Sequence, residues 1–217
     1  MNEFYSVLKP SETLVEIEKS KFIAHVFPVE TERQAIDHIN KVKKKHNNAT
    51  HNVTAYYVRD DHFCKRYSDD GEPSGTAGMP SLQMILNKNI IDVCVVITRY
   101  FGGIKLGTGG LARAYADVTG RGLENSKIIP FQKMLGYELI MNYDRSYPVQ
   151  YLLKKKNILV DNISYEEKVI LKIFLQATEL SVIDALIDLT SSNIEMINRG
   201  EIYISASEGQ IIARKEV

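Results

Sequence analysis

The chain has 217 residues, 44% of them hydrophobic and 25% charged, enough to bury one large core or two small ones without covalent staples. Its 27 basic and 27 acidic side chains cancel, which excludes a long-range pull of the whole molecule on nucleic acid or an acidic membrane; such a partner must be read by a local patch. Residues 1–130 carry 17 basic and 15 acidic side chains and residues 131–217 carry 10 and 12, too even a split to single out either part.

The first ten residues mix Asn2, Glu3 and Lys9 with isolated apolar side chains and lack the charged-then-apolar order of a signal peptide. Alternation around Leu14, Val15 and Ile17, then around Phe22, Ile23 and Val26, predicts two extended segments that end at Pro28. Thr31 suits a helix cap, and Ala35, Ile36, Ile39 and Val42 recur at helical spacing. Lys41, Lys43, Lys44 and Lys45 then load the last turns with charge that suits the helix dipole, so this cluster reads as a solvated helix end. Residues 52–58 and 62–67 are β-prone runs separated by Arg59, Asp60 and Asp61, a hairpin spacing. After a polar loop, Pro80 opens a short helix through Leu82, Ile85 and Leu86.

Residues 91–98 are nearly all β-branched and predict a central strand covered on both faces. The surrounding apolar run is interrupted by Asp92 and is far shorter than the ~20 residues of a membrane span. A glycine-rich turn leads to a helix expected from about Leu111 to Asn125. Cys64 and Cys94 show no metal or redox spacing and read as free thiols in a reducing cytoplasm, the expected location. Residues 128–130 mark the expected boundary between domains 1–129 and 130–217. Beyond it the order strand, helix, strand, strand, helix, strand predicts a ferredoxin-like βαββαβ sandwich, so both domains read as α+β.

Two loops hold the candidate chemistry. In the first, Arg99, Tyr100 and Phe101 precede Gly102, Gly103, Lys105, Gly107, Gly109, Gly110 and Arg113. Glycines here answer a positive φ or the close approach of a backbone or ligand, and the free N–H groups of the following helix suit an anion. One reading is a phosphate site, such as an RNA backbone, with the aromatics as a base-stacking surface. The other is a tight turn from a buried strand to a helix. A dinucleotide fingerprint is excluded, because Gly107 comes nine positions after Thr98 and no second parallel strand is expected to follow. The second loop gathers Asp69, Asp70, Glu72, Ser74 and Thr76, with His51 in reach. Its carboxylates suit acid–base work or a cation; equally, Asp side chains bonded to nearby N–H groups make a polar turn, which the lack of a metal-ligand spacing favours. No metal and no cofactor are expected.

Residues 69–80, reading DDGEPSGTAGMP, and residues 98–115, reading TRYFGGIKLGTGGLARAY, resemble the signature of the YigZ/IMPACT family, as do Glu18-Lys19-Ser20-Lys21-Phe22-Ile23-Ala24 and the segment from His46 to Asn52. The resemblance spans nearly the whole chain. It implies a first domain similar to the second domain of a small-subunit ribosomal protein, and a second domain similar to the last domain of elongation factor G. It therefore implies a non-enzymatic binding protein linked to translation, with RNA, the ribosome or a protein of the translation machinery as partner. The alternative is a hydrolase or phosphate-handling enzyme built across the two loops. Eukaryotic IMPACT carries an extra N-terminal domain that this chain lacks, so its role in stress-kinase control is not carried over.

Overall fold

The computed structural model describes residues 2–60, 63–207 and 210–215; Asp61 and His62 of the expected hairpin lie outside them. The described residues divide into two compact units, one of Phe4–Pro130 and one of residues 131–215 with residues 2 and 3.

The first unit runs β1 (Glu3–Val7), β2 (Ser11–Ile17), β3 (Ser20–Pro28), α1 (Glu32–Lys45), β4 (His51–Val58), β5 (Cys64–Ser68), α2 (Gly78–Asn87), β6 (Val93–Tyr100) and α3 (Gly107–Asn125). Its sheet has the order β2-β3-β6-β4-β5 with antiparallel neighbours throughout. β6 is the central strand. Alternation along it sends Cys94 and Val96 to a core with Ala35 and Val42 of α1, and Val93, Val95 and Ile97 to a core with Leu82, Leu111 and Tyr115 of α2 and α3. Three layers result, which accounts for the unbroken apolar character of the strand.

The strand starts at Val93 instead of residue 91, because Asp92 takes a positive φ of 58° and turns inward. Its carboxylate accepts from the Arg59 backbone N–H and from Nε, both at 2.9 Å. Arg59 in turn lies 4.2 Å over the Phe4 ring. The residues around Phe4 form β1, which their polar spacing disguises; it is held beside Ile90 by the Ile91 N–H donating to the Tyr5 carbonyl at 2.8 Å. Thr31 caps α1 through the Gln34 N–H as expected. Of the lysines at its end, Lys43 and Lys45 pair with Asp70 and Glu12.

The second unit comprises β7 (Ile128–Met141), α4 (Tyr143–Lys155), β8 (Leu159–Tyr165), β9 (Val169–Leu175), α5 (Ser181–Thr190), β10 (Glu195–Ser207) and β11 (Gln210–Lys215). The order β10-β7-β9-β8 with antiparallel neighbours is the ferredoxin-like arrangement, extended by β11 beyond the six expected elements. Val149 and Leu153 of α4 and Val182 and Leu186 of α5 pack on one sheet face, against Leu139, Leu171 and Ile173.

Candidate functional site

The acidic loop, residues 68–78, joins β5 to α2. Asp69 accepts the backbone N–H groups of Gly75, Ala77 and Gly78 at 2.8, 3.1 and 2.8 Å, which satisfies donors at the start of α2 and sets a negative charge against its dipole. Asp70 accepts the Asn52 N–H at 2.6 Å and the Lys43 ammonium at 2.7 Å. The Asp70 carbonyl lies 2.8 Å from His51 Nδ1 and fixes that ring. Thr76 donates to the Pro73 carbonyl at 2.6 Å, and Ser74 is exposed.

Glu72 is buried and forms the centre of the loop. Its Oε1 accepts from Arg99 Nη1 at 2.6 Å and from the Tyr115 hydroxyl at 2.7 Å, while His51 Nε2 stands 3.8 Å from Oε2. Burial, and then the carboxylate itself, push the Tyr115 hydroxyl far above its ordinary range, so it remains a donor. His51, Asp70 and Glu72 thus come together, but their polar atoms are engaged in joining β4, β6 and α3. Among the described residues, no three His, Cys, Asp or Glu side chains converge to hold a metal ion.

Arg99, expected as a phosphate ligand, is buried. Only 4% of it is exposed, because β6 continues to Tyr100 and alternation turns residue 99 to the same face as Val95 and Ile97. Its guanidinium is ion-paired to Glu72. Tyr100 takes the opposite face, its hydroxyl 2.9 Å from His46 Nδ1, whereas Phe101 is 46% exposed.

The glycine turn has several physical reasons. A Cβ on Gly102 would sit 2.0 Å from the carbonyl carbon and oxygen of Lys19, so the backbone of the β2–β3 hairpin occupies the space a side chain would need. Gly107 has φ +71° and starts α3 one turn earlier than expected, which places Thr108, Gly109 and Gly110 within the first turn of the helix. Gly109 needs neither: its φ is not positive and a Cβ would meet nothing within 4 Å. Among the described residues no side chain caps this end of α3.

Two open clefts border the hairpin tip at residues 17–20. One, of about 480 Å³, is lined by Glu18, Lys105, Gly110, Arg113 and Asp117 among others. The other, of about 420 Å³, is lined by Lys19, Lys21, Tyr100 and Phe101. Asp117 pairs with Arg121 at 3.0 Å. Lys19 and Lys21 are not among the site residues expected from the sequence. The signal that could have found them is their position around a two-residue turn, Glu18-Lys19, with both φ values positive, which turns β3 back so that Lys21 pairs with Tyr100 across the sheet.

The Impact N-terminal domain family matches residues 18–123, and a domain of unknown function, DUF1949, matches residues 139–193. IMPACT family member YvyE of Bacillus subtilis is 35% identical over 202 residues, 93% of each chain. IMPACT family member YigZ of Escherichia coli is 29% identical over 191 residues, covering 87% of this chain and 94% of that one. Protein IMPACT of Xenopus laevis is 39% identical over 94 residues, 41% of this chain and 30% of the frog protein. A crystal structure described as that of a hypothetical protein superposes with a TM-score of 0.59 at 28% identity, over 91% of this chain and 97% of its own.

Proposed function

This chain belongs to the IMPACT family, and we propose that it acts as a non-enzymatic binding protein of the cytoplasmic translation machinery. It contacts RNA, free or within the ribosome, through residues 101–113 and the hairpin tip beside them. The observation that carries this reading is the rigidly mounted, exposed Phe101 with Lys19 and Lys21 in the same cleft. The Phe101 N–H donates to Thr50 Oγ1 at 3.0 Å and the next N–H, of Gly102, to Ser20 Oγ at 3.1 Å. The Arg99 guanidinium carbon lies 5.5 Å from the Phe101 ring centroid.

An exposed aromatic ring on a backbone tied by two successive N–H groups loses little entropy when a base stacks on it, and such stacking contributes about 1–3 kcal/mol per base. Lys19 and Lys21 line the cleft beside that ring and Lys105 and Arg113 the second cleft at the hairpin tip, cations that would neutralise phosphates, and the first turn of α3 would offer further N–H donors. The acidic loop supports this assignment of roles, because its carboxylates hold the scaffold under the turn.

The test is fluorescence anisotropy with a labelled single-stranded oligoribonucleotide, together with ribosome co-sedimentation, both at several salt concentrations. Phe101→Ala should weaken binding by roughly 5- to 160-fold, as expected for one stacked base. The pair Lys19→Glu and Lys21→Glu should weaken it and flatten the salt dependence, by about 0.7 in logarithmic slope for each phosphate of a single strand that is no longer neutralised. Absence of salt-sensitive binding by the unaltered chain in both assays overturns the proposal.

A further inference from the structure

We infer that the C-terminal unit carries a peptide-binding groove between α4 and β8, which takes an extended segment of acidic and alternating apolar character as an added strand. This inference is independent of the RNA reading and uses none of its residues. β8 pairs with β9 alone among the described residues, so its other edge presents backbone donors and acceptors without a strand partner. Beside it lies a groove of about 460 Å³ whose walls include Tyr147, Tyr151 and Lys154 of α4 and Val160 and Ile163 of β8.

Two features shape this groove. The register of β8 shifts between Val160 and Asn162, so the bulge at Asp161 lets Val160 and Ile163, three residues apart, line the same groove. Asp161 itself is exposed and lines a different cleft together with Lys172. On α4, Tyr143, Tyr147 and Tyr151 follow one another at intervals of four and expose 55%, 78% and 62% of their surface. Tyr143 is fixed by a hydrogen bond to the Glu166 carbonyl and by stacking on the exposed Tyr165 ring, with centroids 6.2 Å apart. From Tyr143 to Lys154 the helix rises about 16 Å, the length of roughly five residues of extended chain. A strand laid along β8 would therefore place alternate side chains against the tyrosine stripe, the geometry of strand addition beside a helix.

Charge selects the occupant. Lys154 lines the groove and Lys155 and Lys156 follow it, and none of the three is in an ion pair among the described residues. Asp144, at the other end of the helix, pairs with Arg145. A second copy of this chain on a two-fold axis would face a concave groove with a concave groove. A narrow strand with an acidic residue near Lys154 fills the groove and neutralises its end.

The test uses the full chain as bait for phage-displayed random decapeptides, followed by synthetic versions of the enriched sequences. Expected are peptides with an apolar residue at every second position and Asp or Glu toward one end, binding that shifts the backbone amide resonances of residues 159–165, and at least tenfold weaker binding to Tyr147→Ala and to Lys154→Glu. Both positions are exposed, and melting curves of the variants confirm that the fold is kept. N-methylation of alternate peptide amides should abolish binding, because it removes the ladder donors. The inference is overturned by a lack of enrichment, by peptides that bind both variants or their N-methylated forms as well as the parent, or by self-association of the chain that covers β8.

Discussion

Replacing Glu72 with alanine tests whether the buried carboxylate belongs to the scaffold. In the native unit Oε1 accepts from Arg99 and Tyr115 at 2.6 and 2.7 Å, and the side chains of Glu72 and Arg99 are only 3% and 5% exposed. Removing one partner of such a pair costs about 3–5 kcal/mol, because the remaining charge stays buried without compensation. The orphaned Tyr115 hydroxyl adds to this, though less than its full ~1–3 kcal/mol, since both donors share one acceptor. A total of about 5 kcal/mol corresponds to a fall of roughly 19 °C in the melting temperature of a unit this size. Among the described residues Arg99 Nε has no hydrogen-bond partner, and Nη2 reaches only the neutral Ser20 hydroxyl, at 3.4 Å, so no second carboxylate takes over the guanidinium. Replacing both residues, Glu72→Ala with Arg99→Met, should recover part of the loss by removing the stranded cation. Calorimetry on the full chain, analysed as two transitions, measures each value. A loss below about 1 kcal/mol for Glu72→Ala, or a double variant no more stable than the sum of the singles predicts, refutes the reasoning.

Gly102→Ala should destabilise the first unit by about 3 kcal/mol or more, because a Cβ 2.0 Å from the Lys19 carbonyl forces the hairpin backbone to move; urea denaturation reads it. Gly109→Ala, with nothing within 4 Å, should instead stabilise by about 0.5–1 kcal/mol while weakening RNA binding, if a phosphate approaches this turn closely. Asp69→Ala should cost about 1–2 kcal/mol in the same assay, because the start of α2 is then without its acceptor. Burial pushes His25 down to about 4, against the attraction of Glu12, so the ring stays neutral in the folded unit at pH 7. The unfolded ring takes up a proton below its ordinary value of about 6.5, so the stability it contributes is complete above that pH and is lost as pH falls toward 4. About 2–3 kcal/mol should disappear over this window; His46, shifted the same way, adds to the slope, and His25→Gln should flatten it.

Much of the architecture follows from local patterning. β6 announces itself as a doubly covered strand through its β-branched run, α1 through Thr31 and its apolar spacing, and the ferredoxin-like order through the alternation of strand and helix patterns after residue 130. β1 is not legible in this way, because its stability comes from partners distant in sequence, through the bonding of Tyr5 with residues 89–91. The early start of α3 is not legible either, because three glycines have poor intrinsic helix propensity and tertiary packing overrides it.

At the candidate site the same division holds. The motif around residues 98–115, taken by itself, marks the family. Which side chains face solvent depends on strand alternation and on where β6 ends, and that sends Arg99 inward and leaves Phe101 outside. Glu72 meets partners 27 and 43 residues away in the chain, and Lys21 meets Tyr100 only because β3 pairs with β6. Local propensity and periodicity are written in neighbouring residues and can be read there. Meetings between distant residues exist only once the sheet has brought them together, and they decide that Glu72 of the acidic loop is buried against Arg99 and Tyr115 while Phe101 lies exposed beside Lys19 and Lys21.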